Sequence, residues 1–408
     1  MNRNSAISSC REPSRVLVVH NAYQQRGGED RVVEEEIELL RNRGHEVHLF
    51  FKDNRSIASG GGISLFMDAL WSQQSAAEIR AITRSFRPDV VHVHNTFPLI
   101  SPSIYWAAGN AIPIIQTLHN FRLLCVQAMF LRDDKICEDC LGKLPWRGVA
   151  RKCYRDSAPQ SATAVAMIGL HRSIGTFRSK VTRYIALSEF AKSKFIESNQ
   201  FEPEQLVVKP NFVDVDPVTS TLARSGGLLV GRLSREKGIH VVAAAMSMLP
   251  KIEIDVIGTG SEQTVLAGNN NINLLGWREK AFIIDRMRAA RYLLLPSICY
   301  ENFPRTLVEA FACGLPVIAS RLGALPELIQ EGYNGLLFTA GSADDLAKKM
   351  TWAEANPDAM EEMGRNARRT YESKYTADAN YSQLILIYHD AIAATKRFLV
   401  ETAAPQRA

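Results

Sequence analysis

Two carboxylates stand eight residues apart in the segment Glu301-Asn302-Phe303-Pro304-Arg305-Thr306-Leu307-Val308-Glu309-Ala310. Pro304 suits the first turn of a helix, where a missing N–H costs nothing. Gly314 and Pro316 end that helix, and Val317-Ile318-Ala319-Ser320 reads as a buried strand straight after it. Glu301 is therefore expected on a loop ahead of a helix N-terminus, with Glu309 about a turn and a half further on. A helix N-terminus offers unpaired N–H groups and a positive dipole end, which suit a phosphate. Carboxylates beside it can accept hydrogen bonds from the hydroxyls of a sugar or a ribose. A surface helix with two solvated acids has the same spelling, so the pair gains meaning only from its context.

That context is a basic loop. Leu228-Leu229-Val230 reads as a strand running into Gly231-Arg232-Leu233-Ser234-Arg235-Glu236-Lys237-Gly238. Arg232 and Lys237 could hold one anionic group between a planar fork and a point charge. A basic loop at a strand end, a helix N-terminus and two hydroxyl-binding acids together describe a site for a nucleotide-diphosphate sugar. Open α/β sheets place ligands there, beyond the carboxyl ends of their strands. Gly258-Thr259-Gly260 also follows a strand, but Gln263 stands where the dinucleotide fingerprint needs its third glycine. Gly27-Gly28 does not fit that fingerprint either, so a nicotinamide or flavin dehydrogenase is a minor alternative.

The elements that must position these residues alternate along the chain. Residues 15–20, 46–51, 89–94 and 112–118 read as strands, with a helix at 30–43 whose Val32, Val33, Ile37 and Leu40 recur at helical spacing. The pattern pauses at Lys209-Pro210-Asn211. A second set of strands follows at 227–230, 252–257, 272–275, 292–295 and 316–319. This alternation predicts βαβ units and parallel sheets: an α/β chain of two Rossmann-like open-sheet domains facing a cleft. The expected divisions are a disordered start (1–14), an N-terminal domain (15–208), a C-terminal donor domain (209–376) and a final helix (377–400). That helix, with Leu384, Ile387, Tyr388 and Ala391 on one face, is expected to pack across the domain boundary. Residues 401–408 are expected to fray.

The 408 residues favour two domains over one, and the hydrophobic share of 46% is that of a globular protein. A net charge of +5 does not argue for nucleic acid; it fits an acidic ligand or an anionic surface. Residues 1–14 lack the apolar stretch of a signal peptide, and no run is apolar enough to span a bilayer. The expected location is cytoplasmic, with peripheral attachment to the inner face of the membrane as a variant. The seven cysteines are then expected as thiols. Cys10, Cys299 and Cys313 are isolated. Cys125, Cys137, Cys140 and Cys153 share one segment, and their C-x-x-C knuckle could form a structural zinc site; buried thiols or a redox pair would read the same. Asp133-Asp134 in that segment reads as a turn. The insert, residues 124–156, carries Arg132, Lys135, Lys143, Arg147, Arg151, Lys152 and Arg155 beside Leu144 and Trp146. Such a face could approach an anionic membrane bearing a lipid-linked glycan, or be an ordinary solvated loop.

From about Val16 to Tyr388 the chain resembles the retaining glycosyltransferases of family 4 (glycosyl transferases group 1), which have the GT-B fold. The resemblance is carried by the Glu301-to-Glu309 signature, followed by Ala310-Phe311-Ala312-Cys313-Gly314-Leu315-Pro316. It extends to the 231–238 loop, to Gly27-Gly28 and to His119-Asn120. It implies a hexosyltransferase-type enzyme that moves a sugar from a nucleotide-diphosphate sugar to a glycan or lipid-linked glycan, as in bacterial cell-surface polysaccharide biosynthesis. It implies that Arg232 and Lys237 hold the donor diphosphate in place of a metal ion. Glu309 would bind the ribose and Glu301 the donor sugar. Backbone N–H groups around Asn302, Phe303, Leu307 and Val308 would meet donor oxygens, and Gly27 and Gly28 would let the backbone approach the phosphate. His119 would sit beside the reacting centre, while His20, His92 and His94 read as structural. No cofactor is required for catalysis on this reading, and front-face attack by the acceptor is the implied mechanism. One departure is Pro304, where many members have glycine, so one N–H contact to the sugar is absent or shifted. The alternatives are a GT-B sugar-nucleotide epimerase and a non-catalytic subunit of glycosyltransferase shape.

Overall fold

The computed structural model describes residues 13–57, 62–215 and 224–403. Cys10, most of the expected disordered start and residues 404–408 lie outside that range. Among the described residues, eight strands come before residue 209: β1 (Arg15–Ala22), β2 (Glu46–Asp53), β3 (Val90–Asn95), β4 (Ile114–Leu118), β5 (Leu131–Arg132), β6 (Lys135–Ile136), β7 (Arg183–Ala186) and β8 (Leu206–Val208). Six follow: β9 (Gly227–Val230), β10 (Ile254–Ile257), β11 (Ile272–Gly276), β12 (Tyr292–Leu295), β13 (Val317–Ser320) and β14 (Gly335–Phe338).

Twelve of them form two six-stranded sheets, in the orders β2-β1-β3-β4-β7-β8 and β11-β10-β9-β12-β13-β14, while β5 and β6 pair as a separate hairpin. Every pairing within the two six-stranded sheets is parallel. Strands covered by helices on both faces are apolar runs rather than alternating ones: Leu293, Leu294, Val317, Ile318 and Ala319 are all fully buried. The first sheet reverses its order between β1 and β3, the second between β9 and β12. The crevices that open at these reversals lie at the carboxyl ends of the strands. The loops after β1, β9 and β12 are those in which the sequence placed its glycines, cations and Glu301.

Strands β7, β8 and β14 escaped the sequence reading, as did the β5–β6 hairpin. Each is only two to four residues long, too short for a period to register. The last helix spans Ala377–Ala403, so residues 401–403 are helical and not frayed. It leaves the second sheet and returns to the first, where Leu384, Ile387, Tyr388 and Ala391 pack on Val16, Val18, Val33, Ile37 and Ile115. Lys209, read as part of a linker, is buried. Its Nζ lies 3.1 Å from both Glu36 Oε2 and Asn380 Oδ1.

Candidate active site

The basic loop leaves β9 and is shaped by close approaches. Gly238 has φ +70°, and a side chain there would bring Cβ to 1.9 Å from the Pro296 carbonyl oxygen at the end of β12. Only glycine combines that backbone with that proximity. The Gly258-Thr259-Gly260 turn serves the same loop: Cβ atoms at 258 and 260 would fall 1.9 and 2.1 Å from the carbonyl oxygens of Gly231 and Leu233. Its glycines therefore buttress the basic loop, which explains a motif that lacks the dinucleotide spacing.

On this platform Lys237 Nζ lies 2.6 Å from Glu301 Oε1, which also accepts from Ser297 Oγ at 2.5 Å. Burial disfavours the Glu301 charge, but Lys237 and Ser297 outweigh it and hold the carboxyl below its usual range. Arg232 is mostly exposed and pairs with Glu236 at 2.7 Å. Both cations expected to meet a diphosphate thus rest on acids, Arg232 on Glu236 of its own loop and Lys237 on Glu301 of the loop after β12. Neither Ser297 nor Glu236 had been singled out from the sequence.

Pro304 caps the helix Arg305–Ala312 from outside. Leu307 donates its N–H to the Pro304 carbonyl at 3.1 Å, and the side chains of Leu307 and Val308 are fully buried. The first-turn N–H groups without an intrahelical acceptor are those of Arg305 and Thr306, which lie between the expected donors Asn302 and Phe303 on one side and Leu307 and Val308 on the other. Phe303 is buried against Tyr375. Asn302 ties the two halves together, donating from Nδ2 to the Leu118 carbonyl at 2.7 Å; its carbonyl accepts from Ser188 Oγ at 3.1 Å.

Glu309 is buried and already partnered. Arg305 Nη2 lies 3.4 Å from Glu309 Oε1, while the same guanidinium grips Glu35 of the helix Gly28–Asn42 through two bonds of 2.6 and 2.9 Å. Its Cδ passes 3.6 Å from where a Cβ would stand at Gly28. Arg305 therefore spans the cleft between the expected ribose-binding acid and the glycine loop, and the sequence reading gave it no role.

On the facing side Gly27 caps the helix Gly28–Asn42, and its N–H goes to Asp30 Oδ2 at 2.7 Å. Glu29 Oε2 accepts from Tyr23 at 3.0 Å and from Asn120 Nδ2 at 3.4 Å. Burial pushes its carboxyl up to about 7, with only partial relief from His20 and Tyr23. His119 Nε2 meets His94 Nδ1 at 2.9 Å. Burial and then His94 hold the His119 imidazole well below its ordinary range. His20, paired with Asp30 at 2.8 Å, and His92, held by Tyr388 and Thr117 at 2.8 Å each, are packed as expected.

Among the described residues, Glu36, His92 and His94 form the one group of ligating side chains tight enough to surround a metal ion. The ammonium of Lys209 already compensates Glu36 at 3.1 Å, and a second cation there would meet it unscreened. Cys125, Cys137, Cys140 and Cys153 are free and half-buried. Burial, then Cys125, Cys153 and Cys137, push the Cys140 thiol up to about 11, so the four are neighbours. Asp133 and Asp134 make the turn of the β5–β6 hairpin, and Asp134 accepts from Arg235 of the basic loop at 2.5 Å. Leu144 and Trp146 are exposed. Arg151 is engaged by Asp139 at 2.6 Å, with Arg147 3.7 Å from the same acid. No described helix is long and apolar enough to cross a membrane.

Two family models match the chain: Glycosyltransferase Family 4 over residues 26–217 and Glycosyl transferases group 1 over residues 227–370. The chain belongs to this family of glycosyltransferases, and its fold is GT-B. A phosphatidyl-myo-inositol mannosyltransferase of Mycobacterium leprae is 28% identical over 58% of this chain and 65% of its own length. The sucrose-phosphate synthase of Thermosynechococcus elongatus superposes with a TM-score of 0.68 at 17% identity, over 93% of this chain and 100% of that one. HepE of Anabaena, solved with UDP-glucose, gives 0.61 at 17% identity, over 91% and 98%. At these identities the structures speak for the fold alone. The chain spans about half to two-thirds of the length of the first curated relatives it matches.

Proposed function

We propose that this chain transfers a sugar, with retention of anomeric configuration, from a nucleotide-diphosphate sugar to a glycan or lipid-linked glycan. The observation that carries this reading is the meeting of Lys237, Glu301 and Ser297 at the carboxyl ends of β9 and β12, with Arg232 on the same loop and Glu309 one helix away. Diphosphate oxygens would replace Glu301 and Glu236 as partners of Lys237 and Arg232, and the two cations would stabilise the charge that develops on the leaving group. Glu301, released, would accept from a donor-sugar hydroxyl. Glu309 would accept from the ribose once Arg305 yields. Family membership supports retention, and this supply of cations supports a reaction that proceeds without a metal ion.

The test is a thermal-shift titration with UDP, GDP, ADP and dTDP, repeated on Glu309→Ala. A ligand that binds only the folded state raises the melting temperature, by about 2.7 kcal/mol of stability at a hundredfold excess over Kd. Selective stabilisation by one nucleotide, lost in the variant, is expected and names the donor base. No shift with any nucleotide overturns the assignment. With the base known, the anomer first released during slow donor hydrolysis reads the stereochemistry by NMR.

A further inference from the structure

His119 is the one candidate reacting-centre side chain on the acceptor half, and what it can do depends on which ring nitrogen carries its proton. That is fixed by its partner. His94 on β3 faces it, Nδ1 to Nε2, at 2.9 Å with the rings stacked. Two neutral imidazoles at that distance share one proton between the facing nitrogens, so one ring donates and the other accepts. The rest of the His94 environment decides which. Its Nε2 lies 3.4 Å from Glu36 Oε1, within reach of that charge though not in hydrogen-bond geometry. A carboxylate oxygen can only accept. A proton on His94 Nε2 is attracted by that charge, whereas a lone pair there would be repelled by it.

Glu36 has reason to stay charged. Lys209 Nζ lies 3.1 Å from its other oxygen and His92 Nδ1 lies 3.1 Å from Oε1, all three side chains being fully or almost fully buried. Burial opposes the charge, but Lys209 and His92 outweigh it and keep the Glu36 carboxyl well below the ordinary range. Burial, chiefly, holds His94 down to about 3, so its ring is neutral at physiological pH. With one proton, placed on Nε2, His94 presents a lone pair at Nδ1. His119 must then carry its proton on Nε2 and donate it to His94. Its own Nδ1 is left bare and makes no hydrogen bond within the described residues, in a cavity that His94, His119, Asn120, Gln116 and Arg122 line together.

We infer that His94, oriented by the Glu36–Lys209 pair, is a positioning residue that locks His119 as its Nε2–H tautomer and so presents an unprotonated Nδ1 to the substrate. On this reading, which rests on the proposed function, His119 accepts a hydrogen bond from a sugar hydroxyl and does not act as a general acid. The chain Lys209, Glu36, His94, His119 runs from the buried interdomain segment to the reacting centre. Asn380 of the final helix closes it at Lys209, at 3.1 Å. Histidines that looked merely structural in the sequence thus include one that sets the chemistry of its neighbour.

The experiment is long-range proton–nitrogen correlation NMR on the full-length protein with histidine-selective nitrogen-15 labelling, assigned with His119→Gln. The expected spectrum shows His119 with a protonated Nε2 and a bare Nδ1, unchanged between pH 6 and 8. A protonated Nδ1, or an imidazolium that titrates in that range, overturns the inference. His94→Phe removes the acceptor. It is expected to release the tautomer and lower kcat about 10-fold or more while leaving nucleotide affinity unchanged; His94→Asn, whose Oδ1 can accept in place of Nδ1, restores both. Loss of nucleotide affinity in His94→Phe with the His119 tautomer unchanged would make His94 a packing residue and likewise overturn the proposal. The tautomer is read on ligand-free protein. Failure of the transferase reading would therefore leave this spectrum as expected while nucleotide binding is absent, which keeps the two outcomes apart.

Discussion

Glu29 shows how one side chain reports its surroundings. Its carboxyl sits among Tyr23, Asn120 and Asp30, where burial raises its pKa to about 7 from an ordinary 4.5. Between those values the folded state binds a proton that the unfolded chain has already released. Stability contributed by this group is therefore present at low pH, falls as pH rises through the window, and stays lost above it. Glu29→Gln, uncharged at every pH, should melt higher than the parent at pH 8 and nearly level with it at pH 5. Melting curves at the two pH values check this, and an equal difference at both would mean the carboxyl is solvated. The same logic runs the other way at Glu301, whose charge Lys237 favours. Two acids in one cleft thus have opposite protonation preferences because one has a cation at 2.6 Å and the other has only neutral donors.

At the scale of elements, most strands lining the crevices were legible because they carry an apolar run, as in Leu228-Leu229-Val230, although histidines interrupt β3. The 231–238 loop and the Glu301–Glu309 stretch were legible because their types and spacing match one chemistry. Partners drawn from distant segments were not: Arg305 with Glu35, Asn302 with Leu118, and His119 with His94 meet only through the fold, and no periodicity announces them. The cysteine insert lies between these cases. Its knuckle is readable, and the fold packs Cys125 and Cys153 against the first core, with Cys137 and Cys140 half-buried. Its β5–β6 turn then reaches the basic loop through Asp134 and Arg235. We propose a structural zinc ion that Cys125, Cys137, Cys140 and Cys153 would close upon, since among the described residues their sulfurs are not drawn together as tightly as Glu36, His92 and His94. Elemental analysis of protein purified without chelator should then find about one zinc per chain, lost with thiol-reactive reagent together with a drop in melting temperature. Metal-free protein that melts unchanged after zinc addition would reduce the cluster to packing.

Across the whole molecule, the two sheets are joined by few but specific contacts. Besides Asn302 on Leu118, Glu327 accepts from the N–H groups of Glu189 and Phe190 at 2.9 Å each. Arg305 is the central one, because it holds Glu35 across the cleft while touching Glu309 on its own side. Removing the Glu35 charge should have two consequences. The halves lose a buried bidentate tie, so Glu35→Gln should show a larger radius of gyration in solution scattering. The guanidinium, deprived of its better partner, should turn fully onto Glu309 and compete with the ribose. Nucleotide affinity should then fall at least about fivefold, a coupling of about 1 kcal/mol. The double variant Glu35→Gln/Arg305→Met separates these effects. With the competing cation gone, nucleotide affinity should recover while the radius of gyration stays large. If affinity instead falls further in the double variant, Arg305 itself binds the nucleotide, and its hold on Glu35 is a resting position rather than a clamp.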